Sequence, residues 1–335
     1  MNVAVIGLGS MGKRRIRLLS LERKDTVFGV ETDAARRRQC TEELGIPCCA
    51  DMTELRSKCT VDCVFVCTSP LSHHAIIKDC LLHKEHVFTE INIVNDGYGE
   101  LMELSRSSGA RLFLSSTPLY SREVSRLRDM LRCERNLSYL YHIGQYLPDW
   151  HPWESYKNFF VADARTNACR EIFAIELPWL SKVYGKITDI SFRRKKATAL
   201  DLPYDDVCFA TIMHENGNSG MFCVDVASRK AVHSFETFNE NVHIFWNGTP
   251  DSFSAYNVQE KRLEPIPLAS AGNVAHDARY ADFIIEDDYL QEVRAFFDYI
   301  EHDVPPLHTF SEDDAVIGWI NMMEGITAGG TESVC

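Results

Sequence analysis

The opening of the chain constrains its fold more than anything that follows. Val3-Ala4-Val5-Ile6 is an apolar run that ends at once in Gly7-Leu8-Gly9-Ser10-Met11-Gly12, and a helix-forming stretch starts at Lys13. An apolar strand that breaks at G-x-G-x-x-G and re-enters as a helix is the first turn of a doubly wound α/β sheet. Gly7 permits the tight turn, Gly9 lets backbone approach a pyrophosphate, and Gly12 lets the helix lie close to the sheet. Leu8, Ser10 and Met11 complete the loop. The helix start then offers unpaired N–H groups and the positive end of its dipole. The loop is expected to bind a dinucleotide.

Short apolar runs recur at 2–7, 26–31, 46–49, 61–67, 86–90 and 111–115, separated by helix-forming stretches at 13–23, 34–44, 53–58, 73–82 and 96–107. Crossovers of that length allow parallel pairing. The second run ends in Glu31, 24 positions after Gly7. A carboxylate there accepts ribose hydroxyls and repels a 2′-phosphate, which favours NAD. Arg36, Arg37 and Arg38 follow closely, so NADP stays open as an alternative.

The texture changes after a helical stretch at 121–133. A strand is expected at 137–143, a helix at 169–184, and alternating runs at 187–195, 207–214, 220–227, 242–246 and 252–256. Turn signals at Asn216-Gly217 and Asn247-Gly248 link them as hairpins. The expected fold is therefore an α/β Rossmann domain (1–120), a doubly wound parallel sheet, followed by an α+β domain (121–335) with a large antiparallel sheet. Amphipathic helices at 292–302 and 313–326 are expected to pack back on the first domain. Met221, Cys223 and 207–209 are candidates for an apolar sheet face that pairs subunits as a homodimer or homotetramer.

With 35 basic and 48 acidic residues the formal charge is −13, which opposes general nucleic-acid binding. No apolar window reaches membrane-span length, and the N-terminal apolar run precedes its positive charges, the reverse of a secretory signal. A cytoplasmic protein with reduced, buried thiols is expected; its 12 cysteines form no paired C-x-x-C knuckles.

The stretch Asp62-Cys63-Val64-Phe65-Val66-Cys67-Thr68-Ser69-Pro70-Leu71-Ser72-His73-His74, with Pro70 and His74 in place, resembles the third part of the glucose–fructose oxidoreductase/inositol dehydrogenase (Gfo/Idh/MocA) pattern. His86-Val87-Phe88-Thr89-Glu90-Ile91-Asn92 falls where that family carries Glu-Lys-Pro. The resemblance spans essentially the whole chain. It implies NAD(P)-dependent oxidation or reduction of a sugar, polyol or sugar nucleotide. It also implies that Thr68, Ser69 and Pro70 line the nicotinamide half, that His74 anchors the loop, and that Glu90 contacts cofactor ribose and serves catalysis. Two family motifs depart, at four positions. Ile91 replaces the Lys and Asn92 the Pro, while Glu176 and Ile172 stand for the His and Asp of Asp-x-Gly-x-His. Glu176 is then the candidate base, if burial raises its pKa, and Arg170 the candidate anchor for a substrate anion. With Lys and His gone, a sensor that binds dinucleotide or sugar nucleotide without turnover is the alternative.

The segment 145–157 supplies Tyr146, Asp149, Trp150, His151, Trp153 and Tyr156. Aromatic faces stack on sugar rings and the polar groups bond hydroxyls, so these residues form the expected substrate wall. No metal site is expected there: Asp149, His151 and Glu154 are too few and lack a Cys/His pattern.

Overall fold

The computed structural model describes residues 1–152, 154–269, 274, 276 and 280–326. The chain forms two compact units: Met1–Thr117 with Tyr289–Asp314, and Pro118–Asp288 with the chain from Ala315 on.

In the first unit strands alternate with helices: β1 (Asn2–Ile6), α1 (Ser10–Glu22), β2 (Thr26–Val30), α2 (Ala34–Leu44), β3 (Cys48–Cys49), α3 (Met52–Lys58), β4 (Cys63–Val66), α4 (His73–Leu82), β5 (His86–Thr89), α5 (Tyr98–Ser108) and β6 (Leu112–Leu114). The strands form one parallel sheet in the order β3-β2-β1-β4-β5-β6. The order reverses between β1 and β4, and ligands of such sheets bind at the carboxyl ends beside that reversal. Ala4, Ile6, Val64, Val66, Val87 and Leu112 share one core with Ile77, Leu81 and Leu101 of α4 and α5. A parallel sheet buries both faces, which is why its strands read as unbroken apolar runs.

The second unit contains α6 (Arg122–Leu131), β7 (Ser138–Gly144), α7 (Ala168–Tyr184), β8 (Ile187–Lys195), β9 (Val207–His214), β10 (Ser219–Asp225), β11 (Val232–Phe238), β12 (His243–Trp246), β13 (Ser254–Asn257) and β14 (Arg262–Pro265). Its eight-stranded sheet runs β14-β13-β12-β11-β7-β10-β9-β8. The pairing is antiparallel throughout, with one difference from expectation: β7 inserts beside β10 and pairs with it in parallel. Strands β11 and β14 were not among the expected runs. β11 reads Val-His-Ser-Phe-Glu-Thr-Phe, too polar on both phases to stand out. Alternate residues of β7, β10 and β11 face α7 as an aromatic cluster. Tyr141 stacks on Phe222 at 4.7 Å, and Trp179 meets Tyr141 and Phe235 edge-on.

Two helices close the chain, α8 (Glu286–His302) and α9 (Phe310–Glu324). From Tyr289 to Asp314 this segment belongs to the first unit. The in-register triplet Phe65, Phe88 and Phe113 stacks across β4, β5 and β6 at 4.7 and 5.2 Å, with Phe296 of α8 edge-on to all three. No described helix is long and apolar enough to cross a membrane. Every described cysteine is a free thiol.

Candidate functional site

Two of the three glycines of the opening turn, Gly7 and Gly12, are required by what surrounds them. Gly7 has φ +88°, and a Cβ there would lie 2.6 Å from the Cys67 carbonyl oxygen at the end of β4. A Cβ on Gly12 would lie 1.9 Å from the Gly7 oxygen. Gly9 differs: nothing stands within 4 Å of its Cβ position. The turn is therefore close-packed on the protein side and open on its outer side, as a cradle for a bulky anion must be. α1 begins there with no side-chain cap, which leaves the first-turn N–H groups to a ligand.

Glu31 closes the second side. It is 8% exposed, and its carboxylate accepts the N–H of Leu8 at 3.1 Å and of Asp33 at 3.1 Å. Burial favours the neutral acid, but those backbone donors and the Arg36 guanidinium at 3.3 Å outweigh it and hold the pKa below the usual range. Arg37 is spent on the backbone oxygens of Glu31 and Thr32. The site thus presents an ionised acid with one arginine already paired to it.

After β4 the chain turns through Thr68, Ser69 and Pro70. Thr68 and Ser72 share a hydroxyl hydrogen bond of 2.8 Å. The residue that grips this turn is His73, not His74. His73 is buried, its Nε2 is 3.0 Å from the Thr68 oxygen, and its Nδ1 is 2.6 Å from the Asn92 amide. Burial lowers the His73 pKa. Each ring nitrogen faces an oxygen, Thr68 O at Nε2 and Asn92 Oδ1 at Nδ1, and the nitrogen that carries the proton donates to its oxygen. His74 instead pairs with Glu100 at 2.9 Å on the outside of α4 and α5. Asn92, where the resembling family carries Pro, is thus a fixed part of the loop. Ile91 beside it is half-buried.

Glu90 is tied to Arg15. The guanidinium donates to both Glu90 oxygens, at 2.6 and 3.1 Å, and to Glu292 at 2.6 Å. Glu292 also accepts from Ser116 N at 2.6 Å and Thr117 Oγ1 at 3.1 Å. Burial, and then repulsion from Glu90, raise the Glu292 pKa against the pull of Arg15. This arrangement positions Glu90 rather than freeing it as a catalytic acid or base.

In the second unit Glu176 lies beneath the sheet, 5% exposed. It accepts from Tyr141 Oη at 2.8 Å and Trp179 Nε1 at 2.5 Å. Burial pushes its carboxyl up to about 7, with these donors pulling the other way. Tyr141 spends its proton on Glu176, so His233, 3.0 Å away, donates its Nε2–H to the phenol oxygen. Burial pushes His233 down to about 4. Five residues earlier on α7, burial alone pushes Glu171 up to about 8, and its Oε2 has no hydrogen-bond partner among the described residues. Arg170 is 2% exposed, and its guanidinium bonds Glu324 and Asn321 at 2.6 Å each. The expected anion anchor is therefore a tie to α9.

The aromatic loop is a series of short 3-10 turns. Tyr146 and Asp149 converge on Arg229, whose guanidinium lies 4.1 Å over the Tyr146 ring and 3.5 Å from the Asp149 carboxylate. Trp150 donates to the Gln145 oxygen, and His151 packs edge-on to Phe159. Tyr156 Oη accepts the Asp201 N–H at 3.3 Å. Trp153 lies outside the described residues. No pattern in the sequence marks Arg15, Glu292, Tyr141, His233 or Glu171, and Asn92 stands out there only as the residue in place of Pro.

Residues 1–113 match the Gfo/Idh/MocA model, the oxidoreductase family with NAD-binding Rossmann fold. A myo-inositol 2-dehydrogenase of Thermotoga maritima is 22% identical over 334 residues, covering 91% of this chain and 90% of that protein. Among solved structures, an oxidoreductase from Agrobacterium radiobacter in complex with NAD+, L-tartaric acid and magnesium superposes with a TM-score of 0.81 at 11% identity, over 99% of this chain and 97% of that one. Levoglucosan dehydrogenase in complex with NADH and levoglucosan superposes with a TM-score of 0.79 at 13% identity, over 95% and 94%. At these identities the superpositions speak to the fold. The sequence match, over residues 1–113, falls on the very sheet that carries the glycine turn and Glu31, and that part of the chain is similar to the Gfo/Idh/MocA family of NAD-binding oxidoreductases.

Proposed function

We propose that this protein is an NAD-preferring dehydrogenase or reductase acting on a hydroxyl or ketone of a sugar, polyol or sugar nucleotide. The observation that carries the cofactor preference is Glu31, a carboxylate held ionised at the end of β2 beside the open face of Gly9. A 2′-phosphate would meet that charge, whereas ribose hydroxyls would donate to it. The myo-inositol and levoglucosan dehydrogenases that resemble the chain support a polyol or sugar substrate.

When bound, the nicotinamide accepts or returns a hydride. Gly7, Leu8, Gly9, Ser10, Met11 and Gly12 hold the diphosphate through backbone N–H groups. Thr68, Ser69 and Pro70, fixed from behind by His73, line the nicotinamide half. Ile91 has no proton to give, so the proton falls to a carboxyl of α7. Glu171 is the better candidate than Glu176, because its Oε2 has no hydrogen-bond partner among the described residues while Glu176 already holds two donors. Tyr146, Asp149, Trp150, His151 and Tyr156 form the substrate wall. Leu140, Phe209, Met213 and Met221 expose 41–60% of their surface on the outer sheet face, and we assign that face to contact between copies of the chain.

The test is turnover of NAD against a panel of polyols, aldoses and UDP-sugars, followed by the pH profile of kcat/KM. Glu171→Gln is expected to remove the ionisation of the proton-carrying group from that profile. An unchanged profile excludes Glu171. A second reading, a dinucleotide sensor, is favoured by Ile91 together with the commitment of Glu90 and Arg170 to protein partners. Bound NADH whose absorbance never changes on addition of any sugar would select it.

A further inference from the structure

His142, Cys223 and Asp225 bring three donor atoms within 4.8 Å of one another. The sheet register puts them there. β7 and β10 pair in parallel, with Cys223 opposite His142 and Asp225 opposite Gly144. Residues two apart on a strand share a face, so Cys223 and Asp225 rise side by side next to the imidazole. That face is the one turned away from α7, since Tyr141 and Phe222 take the other.

Gly144 makes the cluster possible. A Cβ there would lie 2.4 Å from Asp225 Oδ2, so only glycine leaves the space into which the carboxylate leans. The carboxylate is also fixed from outside the cluster. Its Oδ1 accepts the N–H of Ala227 at 2.8 Å and of Ser228 at 2.6 Å, and its Oδ2 accepts the Ser228 hydroxyl at 2.9 Å. Oδ2 lies 2.6 Å from His142 Nε2. Ligands held in this way by neighbouring donors are oriented before a metal arrives. In the single chain the site reaches solvent. The His142 side chain is 37% exposed, and an open trough of about 520 Å³, lined by Leu140, Phe209, Met221 and Glu236 as well as His142 and Cys223, adjoins it.

The donor set discriminates among cations. Magnesium and calcium take oxygen cages. One thiolate, one imidazole and one carboxylate suit a borderline-soft ion of tetrahedral habit. A thiolate and a carboxylate also balance a double positive charge. We propose that His142, Cys223 and Asp225 form a binding site for Zn2+, with three protein donors and a fourth position open to water.

Tag-free, metal-free protein under a non-chelating reductant is dialysed against Zn2+ and its metal content measured. Co2+ is then used as the spectroscopic stand-in. The expected result is one equivalent of Zn2+ per chain, not displaced by excess Mg2+, and a near-ultraviolet thiolate-to-cobalt band. Cys223→Ser is expected to abolish the band, and His142→Gln to keep it while weakening Zn2+ binding by about tenfold or more. A wild-type cobalt spectrum without a thiolate band overturns the proposal and needs no variant. So does Zn2+ uptake that is equal in wild type and both variants. Either outcome makes His142 and Asp225 a plain ion pair with a thiol alongside.

Discussion

Glu176→Gln has a thermodynamic signature that can be worked out from the fold. The carboxyl sits at about 7 in the fold because it is buried, against an ordinary value of 4.5. Below pH 4.5 both folded and unfolded chains hold this proton. Between 4.5 and about 7 the unfolded chain releases it and the folded chain does not, so stability falls as pH rises. Above about 7 both states are ionised and the loss is complete. At roughly 1.4 kcal/mol per pH unit, the full loss is about 3 kcal/mol. The glutamine variant keeps an oxygen for Tyr141 and Trp179 and has nothing to ionise. Urea unfolding of both proteins from about pH 5 to about pH 8 measures the difference. Near the acid end the gap is expected to be small; toward pH 8 the variant gains up to about 3 kcal/mol relative to wild type. Other titrating groups, Glu171 among them, act equally in both proteins and cancel. Parallel stability curves across the range would refute the assignment of a buried, raised carboxyl at this position.

Arg15→Met leaves Glu90 and Glu292 buried without their cation and is expected to cost about 3–5 kcal/mol; adding Glu292→Gln should recover part of it, read by thermal unfolding. Phe88→Ala removes the centre of the stacked triplet of β4, β5 and β6 and is expected to cost about 3–5 kcal/mol, measured by the same transition. Glu31→Ala removes a charged acceptor worth roughly 1.5–3 kcal/mol and leaves Arg36 unpaired, so calorimetry should show NADP gaining on NAD by about tenfold or more.

Local demands were legible and long-range ones were not. Gly7, Gly9 and Gly12 belong to the turn pattern itself; Gly7 and Gly12 stand where their neighbours require glycine, and Gly9 leaves the outer side open. The acid at the end of β2 follows from its distance along the chain. His73 and His74 are adjacent at a helix start, and only the fold decides which ring turns inward to Thr68 and Asn92. Arg15 meets partners 75 and 277 positions away, a pairing no local pattern carries. Arg170 read as an exposed fork because its partners lie on α9, more than 150 positions on. The hairpin signals implied a purely antiparallel sheet, but the insertion of β7 beside β10 joins segments from distant parts of the chain. That same parallel pairing brings His142 to Cys223, so the metal cluster was invisible to a reading made segment by segment.

In the proposed function the glycine turn holds the diphosphate of NAD with Glu31 beside it. Calorimetric titration of the purified protein with NAD and with NADP tests it most directly. Saturable binding of NAD, weaker binding of NADP, and loss of both in Gly12→Ala, whose Cβ would fall 1.9 Å from the Gly7 oxygen, are the expected results. Absence of binding by either nucleotide at about millimolar concentration, or equal binding by wild type and Gly12→Ala, would contradict the account.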